Sequence, residues 1–143
     1  MPQRKMMYRI LGSILVFSAG VIIWINQGNR ESVLLTGAFH GVAHKGTGEA
    51  RLVMLRNRTR VLRLLDLKTY PGFDLEVCLA ALPDAEDNET VKGAAPVCVG
   101  PYDGKTAYGS YPVPDTVDTE RYRTVVIWSR SYQVNFTTAP LAP

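Results

Sequence analysis

The sequence predicts an all-β protein: an antiparallel β-sandwich of about eight short strands, preceded by one N-terminal transmembrane helix. Three observations indicate this class. One long apolar run without charge lies near the N-terminus, short apolar runs separated by turn residues recur beyond Ser32, and no helical periodicity is found beyond Ser32. A length of 143 residues suits one compact core, and 12 Gly with 9 Pro favours many turns.

The charge-free run covers residues 10–25 (ILGSILVFSAGVIIWI) and follows Arg4, Lys5 and Arg9. At about 1.5 Å per helical residue it spans roughly 24 Å, against a hydrocarbon core of about 30 Å, so flanking residues must complete the span. We therefore predict a membrane anchor in contact with the lipid bilayer. Its main apolar side chains are Ile10, Leu11, Leu15, Phe17, Val21, Ile22, Trp24 and Ile25.

The sequence after Ile25 favours an anchor that is retained. It contains no Ala-x-Ala cleavage pattern and no lipoprotein cysteine, although a cleaved signal peptide stays the alternative. The positive-inside rule then places the N-terminus in the cytoplasm and exports the rest to the periplasmic or extracytoplasmic side. This divides the chain into residues 1–30 (basic tail, anchor and linker) and an exported domain, residues 31–143.

The charge of the exported domain argues against nucleic acid as a partner. The whole chain has a pI near 9.0, but four of its 16 basic residues precede Glu31 and all 13 acidic residues follow Arg30. The domain therefore has 12 basic and 13 acidic residues. A phosphate-binding surface requires a clustered excess of Lys and Arg, which this domain lacks.

The predicted strands are short and separated by turn residues. In RTVVIWS, Thr124, Val126 and Trp128 alternate with Val125 and Ile127, so both faces of this strand are predicted to be buried, as in a central strand. The full set of predicted strands is 33–43, 49–55, 60–67, 73–82, 96–99, 106–112, 122–128 and 131–138.

Cys78 and Cys98 lie in two of these strand-like runs, with a polar segment between them. If the runs form a long-looped antiparallel hairpin, the two cysteines face each other and can form a disulfide, as is common in exported small domains. Two unpaired buried thiols are the alternative.

Other motifs give weaker signals. Arg56, Arg58 and Arg60 alternate through a predicted turn and form a candidate interaction patch for an anionic partner. His40 and His44 supply only two potential metal ligands. Among tyrosines of the C-terminal half, one or two are candidate interface anchors: Tyr102, Tyr108, Tyr111, Tyr122 and Tyr132.

Recognisable catalytic and cofactor motifs are absent from the sequence. No His follows His44 and no Met follows Met54, which excludes a blue-copper site in its usual order, and there is no C-x-x-C-H haem motif. No G-x-S-x-G turn is present either. We therefore expect no cofactor, no metal and no enzymatic activity.

Three blocks resemble one family: TGAFHGVAHKGTGEARLV, RVLRLLDLKTYPGFDLEVCLA and YGSYPVPDTVDTERYRTVVIWSRSYQVNFTTAPL. Together they are similar to the Skeletor-type "DM-thirteen" domain over about residues 35–141. The resemblance implies a β-sandwich, and electron-transfer chemistry at a cysteine that follows the VVIW strand. Ser129 occupies that position here, and a hydroxyl cannot cycle between thiol and oxidised sulfur.

These observations predict a non-catalytic, single-pass accessory or structural subunit. Its exported sandwich is expected to dock on a larger membrane protein complex, and the family resemblance favours a respiratory or photosynthetic electron-transfer complex. The alternative is a redox-active domain that transfers electrons through the Cys78/Cys98 pair or through an undetected cofactor.

Overall fold

A computed structural model describes residues 31–143, and the predicted anchor, Ile10 to Ile25, lies outside these residues. Within residues 31–143, no helix is both long and apolar enough to cross a membrane. In chain order the elements are β1 (Ser32–Ala38), β2 (His40–Gly41), β3 (Gly46–Met54), β4 (Arg60–Thr69), β5 (Leu75–Ala80), α1 (Glu89–Gly93), β6 (Val97–Tyr102), β7 (Gly109–Val113), β8 (Thr124–Ser129) and β9 (Val134–Pro140).

The strands form two antiparallel sheets, which confirms the all-β prediction. One sheet has the order β1-β3-β4-β7 and the other β2-β9-β8-β5-β6. The described residues contain nine strands rather than about eight, because the predicted strand 33–43 is divided at Phe39. Its first part, β1, pairs with β3, whereas its second part, β2, pairs with β9 in the other sheet. Phe39 is itself buried at this crossing.

The main hydrophobic core lies between the two sheets. Leu52, Leu62 and Leu64 contribute from the four-stranded sheet, and Val125 and Ile127 contribute from the five-stranded sheet. Each of these side chains is at most 1% exposed, so the inward faces of both sheets are closely covered. This sandwich-like packing is the arrangement that alternating strands of this length favour.

A second, smaller cluster covers the outer face of the five-stranded sheet. Val126 and Trp128 of β8 pack there with Cys78 and with Val91 of α1. β8 is therefore buried on both faces, between β5 and β9, which confirms the prediction of a central strand.

The short helix α1 was not predicted, since the sequence shows no helical periodicity there. A helix of five residues with one buried side chain, Val91, is too short to produce a periodic apolar pattern. Its formation depends on the packing of Val91 against the sheet.

A close backbone approach joins the two sheets at one edge. Gly37 of β1 lies against the carbonyl of Pro140, and a Cβ atom at residue 37 would stand 2.0 Å from that oxygen. Neighbouring residues continue the contact, because Thr36 and Ala142 exchange backbone hydrogen bonds of 2.8 Å. Only glycine allows this approach without a backbone shift.

We predict that Gly37→Ala lowers the free energy of unfolding by about 1–3 kcal/mol, since the added methyl group forces the β1 and β9 backbones apart. Urea unfolding of the full-length chain in mild detergent, followed by tryptophan fluorescence, measures the change. Gly93→Ala is the matched control. Apart from the adjacent residues and the backbone of α1 itself, no heavy atom would lie within 4 Å of a Cβ atom at residue 93. Equal stability of the two variants would contradict the prediction.

One polar contact connects β2 to the segment that precedes α1. His40 Nε2 lies 2.8 Å from Asp84 Oδ1, and both side chains are about one third exposed. The hydrogen bond to Asp84 is the main cause that raises the pKa of His40 above 6.5, and burial opposes it. The charged imidazole therefore stabilises the fold at pH below 6.5, and this stabilisation is lost as the pH rises through the higher pKa of the folded state.

We predict that Asp84→Asn lowers the pKa of His40 toward 6.5, because the partner that stabilises the imidazolium loses its charge. An NMR titration of the imidazole resonances of the full-length chain measures the shift. Glu86→Gln is the control and is expected to change the pKa less, since Glu86 makes the smallest contribution among the causes. An unchanged pKa in Asp84→Asn would contradict the assignment.

Candidate functional site

The two cysteines form a disulfide between neighbouring strands, which confirms the predicted pairing. Cys78 of β5 and Cys98 of β6 are direct cross-strand partners, and the polar segment between them closes an antiparallel hairpin. Cys78 is fully buried, whereas Cys98 is exposed on β6, the edge strand of its sheet. The two residues therefore differ in their exposure to solvent.

A carboxylate lies beside this disulfide. Glu76 precedes Cys78 by two residues in β5, so the two side chains share a face of the sheet. One carboxylate oxygen of Glu76 and the sulfurs of Cys78 and Cys98 all lie within 4.8 Å of one another. In the segment that the structure describes, this is the one group of three His, Cys, Asp or Glu side chains close enough to hold a metal ion.

Arg130 fixes the position of that carboxylate. Its Nε donates to Glu76 Oε1 at 3.3 Å, and its Nη2 donates to Glu76 Oε2. The Glu76 side chain is only 15% exposed, so the ion pair is shielded on the carboxylate side. The hydrogen bond to Glu76 raises the pKa of Arg130, which remains cationic throughout the physiological range.

Two features of this environment oppose thiol exchange. Exchange by an external thiol must release one of the two sulfurs as a thiolate. The burial of Cys78 and the negative charge of Glu76 both disfavour a thiolate at this place. The pair consequently has the properties of a structural disulfide.

Ser129, where the family resemblance implies a cysteine, is fully buried at the end of β8. Its hydroxyl donates to the carbonyl oxygen of Phe73 at 2.9 Å and lies 3.4 Å from the backbone nitrogen of Tyr132. The hydroxyl thus ties the β4–β5 loop to the β8–β9 turn. This is a structural role, and it leaves the side chain without access to solvent.

An exposed aromatic pair stands on these two segments. Phe73 is 66% exposed and Tyr132 is 69% exposed, with ring centroids 6.1 Å apart in an edge-to-face arrangement. Asp74 holds the segments together, because its carbonyl accepts from the Arg130 backbone N–H at 3.0 Å and its carboxylate accepts from the Ser131 hydroxyl at 2.7 Å. Tyr132 was among the five tyrosines of which one or two were candidate interface anchors, but Phe73 was missed, since exposure cannot be read from residue type.

The structure separates the three arginines of the candidate patch. Arg56 and Arg58 lie in the exposed turn between β3 and β4, where Arg58 has a φ of 70°. Arg60 belongs to β4 and donates to Thr119 Oγ1 at 3.1 Å and to the Pro114 carbonyl at 2.9 Å. The backbone is not extended through the turn, so the alternation of the sequence does not translate into one row of side chains.

The two histidines make contacts with different residues. His40 contacts Asp84, whereas the ring of His44 packs between Tyr70 and Phe136, with centroid distances of 5.0 and 4.3 Å. Neither histidine belongs to the group formed by Glu76 and the cysteines.

The chain matches one known protein family. The family model described as "Electron transfer DM13" matches residues 38–141, from the last residue of β1 to the residue after β9. Searches of curated proteins and of solved structures found no significant match. Because the family model covers most of the chain, including the VVIW strand and both cysteines, the protein belongs to the Electron transfer DM13 family.

Proposed function

We propose that this protein is a non-catalytic accessory subunit, held at a membrane by its N-terminal helix, whose exported domain docks on a larger membrane assembly for electron transfer. The proposal rests on one observation: a buried serine and an exposed aromatic pair lie at the same end of β8. Ser129 stands where the family is expected to carry its thiol, and Phe73 and Tyr132 lie at the same end of β8.

The aromatic pair has the physical features of an interface anchor. Phe and Tyr supply large apolar contact areas with few rotatable bonds, and such residues dominate the binding energy of many interfaces. The backbone under both rings is fixed by the hydrogen bonds to Ser129 and Asp74, so little conformational entropy is lost on binding. A partner protein with an apolar recess is the expected ligand.

The proposed anchor supports this role by confinement. A domain attached to the bilayer meets other membrane proteins at a high effective concentration, so a modest direct affinity is sufficient for docking. The nearly balanced charge of residues 31–143 agrees with contacts that are apolar rather than electrostatic. A respiratory or photosynthetic complex is the proposed host because of the family to which the chain belongs.

We predict that Phe73→Ala combined with Tyr132→Ala reduces association with the host complex at least about tenfold, since a loss of roughly 1.4 kcal/mol already gives this factor. The measurement is the share of the protein that sediments with a large complex after gentle detergent extraction of native membranes. Tyr108→Ala is the matched control, because Tyr108 is 63% exposed but is not part of the aromatic pair.

The wild type and Tyr108→Ala are expected to sediment together with the complex. Wild-type protein found only as free monomer would overturn the docking function itself. Co-sedimentation that is unchanged in the double variant would instead reject the aromatic pair as the docking surface.

A second function is favoured by the exposure of Cys98, which places one residue of the disulfide at the surface. In this alternative the Cys78/Cys98 pair, or a cofactor, transfers electrons, as the family description suggests. Thiol titration of the full-length protein under mild reductant, together with its visible absorbance, separates the two functions. The accessory role predicts a colourless protein whose disulfide stays intact, whereas rapid reversible reduction or a chromophore would support the redox role.

A further inference from the structure

The group of Glu76, Cys78 and Cys98 offers more than a covalent crosslink. Three potential ligand atoms converge within 4.8 Å, on a sheet whose backbone register fixes all three residues. Two atoms bound to the same Zn²⁺ at about 2.0–2.3 Å each lie at most roughly 4.6 Å apart. The side chains therefore need only small rotations to surround one cation once the sulfur–sulfur bond is opened.

We propose that reduction of the Cys78–Cys98 disulfide creates a site for a thiophilic divalent cation, Zn²⁺, with the two thiolates and the Glu76 carboxylate as ligands. While the disulfide is intact, the sulfurs have no thiolate charge and do not bind the ion. The site is consequently controlled by the redox state of the cysteines. It is independent of the docking surface formed by Phe73 and Tyr132.

The reaction is balanced when a dithiol is the reductant. The dithiol supplies two electrons and two protons, its own sulfurs join in a cyclic disulfide, and Cys78 and Cys98 become thiols. Its first thiolate attacks the sulfur of Cys98, the more exposed of the two residues, and Cys78 is the leaving group. Binding of Zn²⁺ then displaces the two thiol protons to solvent.

The local charges favour a cation after reduction. Two thiolates and one carboxylate carry three negative charges, and Zn²⁺ together with the Arg130 guanidinium carries three positive charges. The assembled site is therefore neutral in a partly buried place, where an uncompensated charge would be unfavourable. Arg130 acts as a positioning residue, because its hydrogen bonds orient the carboxylate, as outer partners of metal ligands commonly do.

The sheet keeps the two thiols adjacent when the covalent bond is gone. β5 pairs with β6 over Leu75–Leu79 and, on its other side, with β8 over Leu75–Ala80. Cys78 is also packed with Val126 and Trp128 in the outer cluster. Because these contacts do not involve the sulfur–sulfur bond, the site remains preorganised in the reduced protein, and the exposed Cys98 side leaves an entry path for the ion.

The test is a Zn²⁺ titration of the full-length protein in mild detergent, before and after reduction by a dithiol that is then removed without air. A chromophoric chelator reports the affinity, and Cd²⁺ in place of Zn²⁺ reports thiolate ligation by its ultraviolet charge-transfer band. Circular dichroism of the reduced protein verifies that the sheets are retained. The variants are Glu76→Gln, Cys98→Ser and, as the matched control, Glu49→Gln, which removes the carboxylate of another Glu–Arg pair in the other sheet.

We expect one Zn²⁺ per reduced chain, no binding to the oxidised chain and a Cd²⁺–thiolate band in the reduced chain alone. Glu76→Gln should weaken Zn²⁺ binding by at least about tenfold, since even outer-shell partners of metal sites contribute tenfold or more. Cys98→Ser should abolish binding and Glu49→Gln should leave it unchanged. Equal affinity of the oxidised and reduced chains, an unchanged affinity in Glu76→Gln, or loss of the sheets on reduction would each overturn the proposal.

Discussion

The burial of β8 on both faces is the constraint on which the rest of the domain depends. Its side chains at Val125 and Ile127 enter the core between the sheets, whereas Val126 and Trp128 face the opposite side. A strand of this kind cannot be left open to solvent on either face without exposing a large apolar area. The second layer on the outer face, formed by α1 and the rest of the segment between β5 and β6, therefore follows from the composition of one strand.

The outer layer in turn determines the chemistry that the cysteines can perform. Since α1 and Trp128 cover Cys78, the buried sulfur is protected, and the exposed one lies beside a carboxylate that is fixed by Arg130. The same carboxylate that disfavours a free thiolate supplies a ligand when a cation is present to balance the charge. The Glu76 carboxylate thus both opposes the release of a thiolate and contributes to the proposed affinity of the reduced pair for Zn²⁺.

Ser129 has an architectural role at the end of β8. The hydroxyl joins two loops through the Phe73 carbonyl, and these loops present the aromatic pair. The hydrogen bonds of Asp74 to Arg130 and Ser131 hold the same two loops together.

Local signals in the sequence were sufficient to predict the all-β class, the central position of β8 and the pairing of Cys78 with Cys98, because alternation and turn residues are visible in a single chain. The anchor at residues 10–25 was predicted from composition. Three features instead required the folded chain: the division of the strand around Phe39 between two sheets, the formation of α1, and the placement of Glu76 and Arg130 beside the disulfide. They depend on contacts between residues far apart in the chain, such as Arg130 with Glu76 and Thr36 with Ala142. No local pattern encodes such contacts, since nothing in the residue type or in the neighbouring sequence of either partner specifies the other.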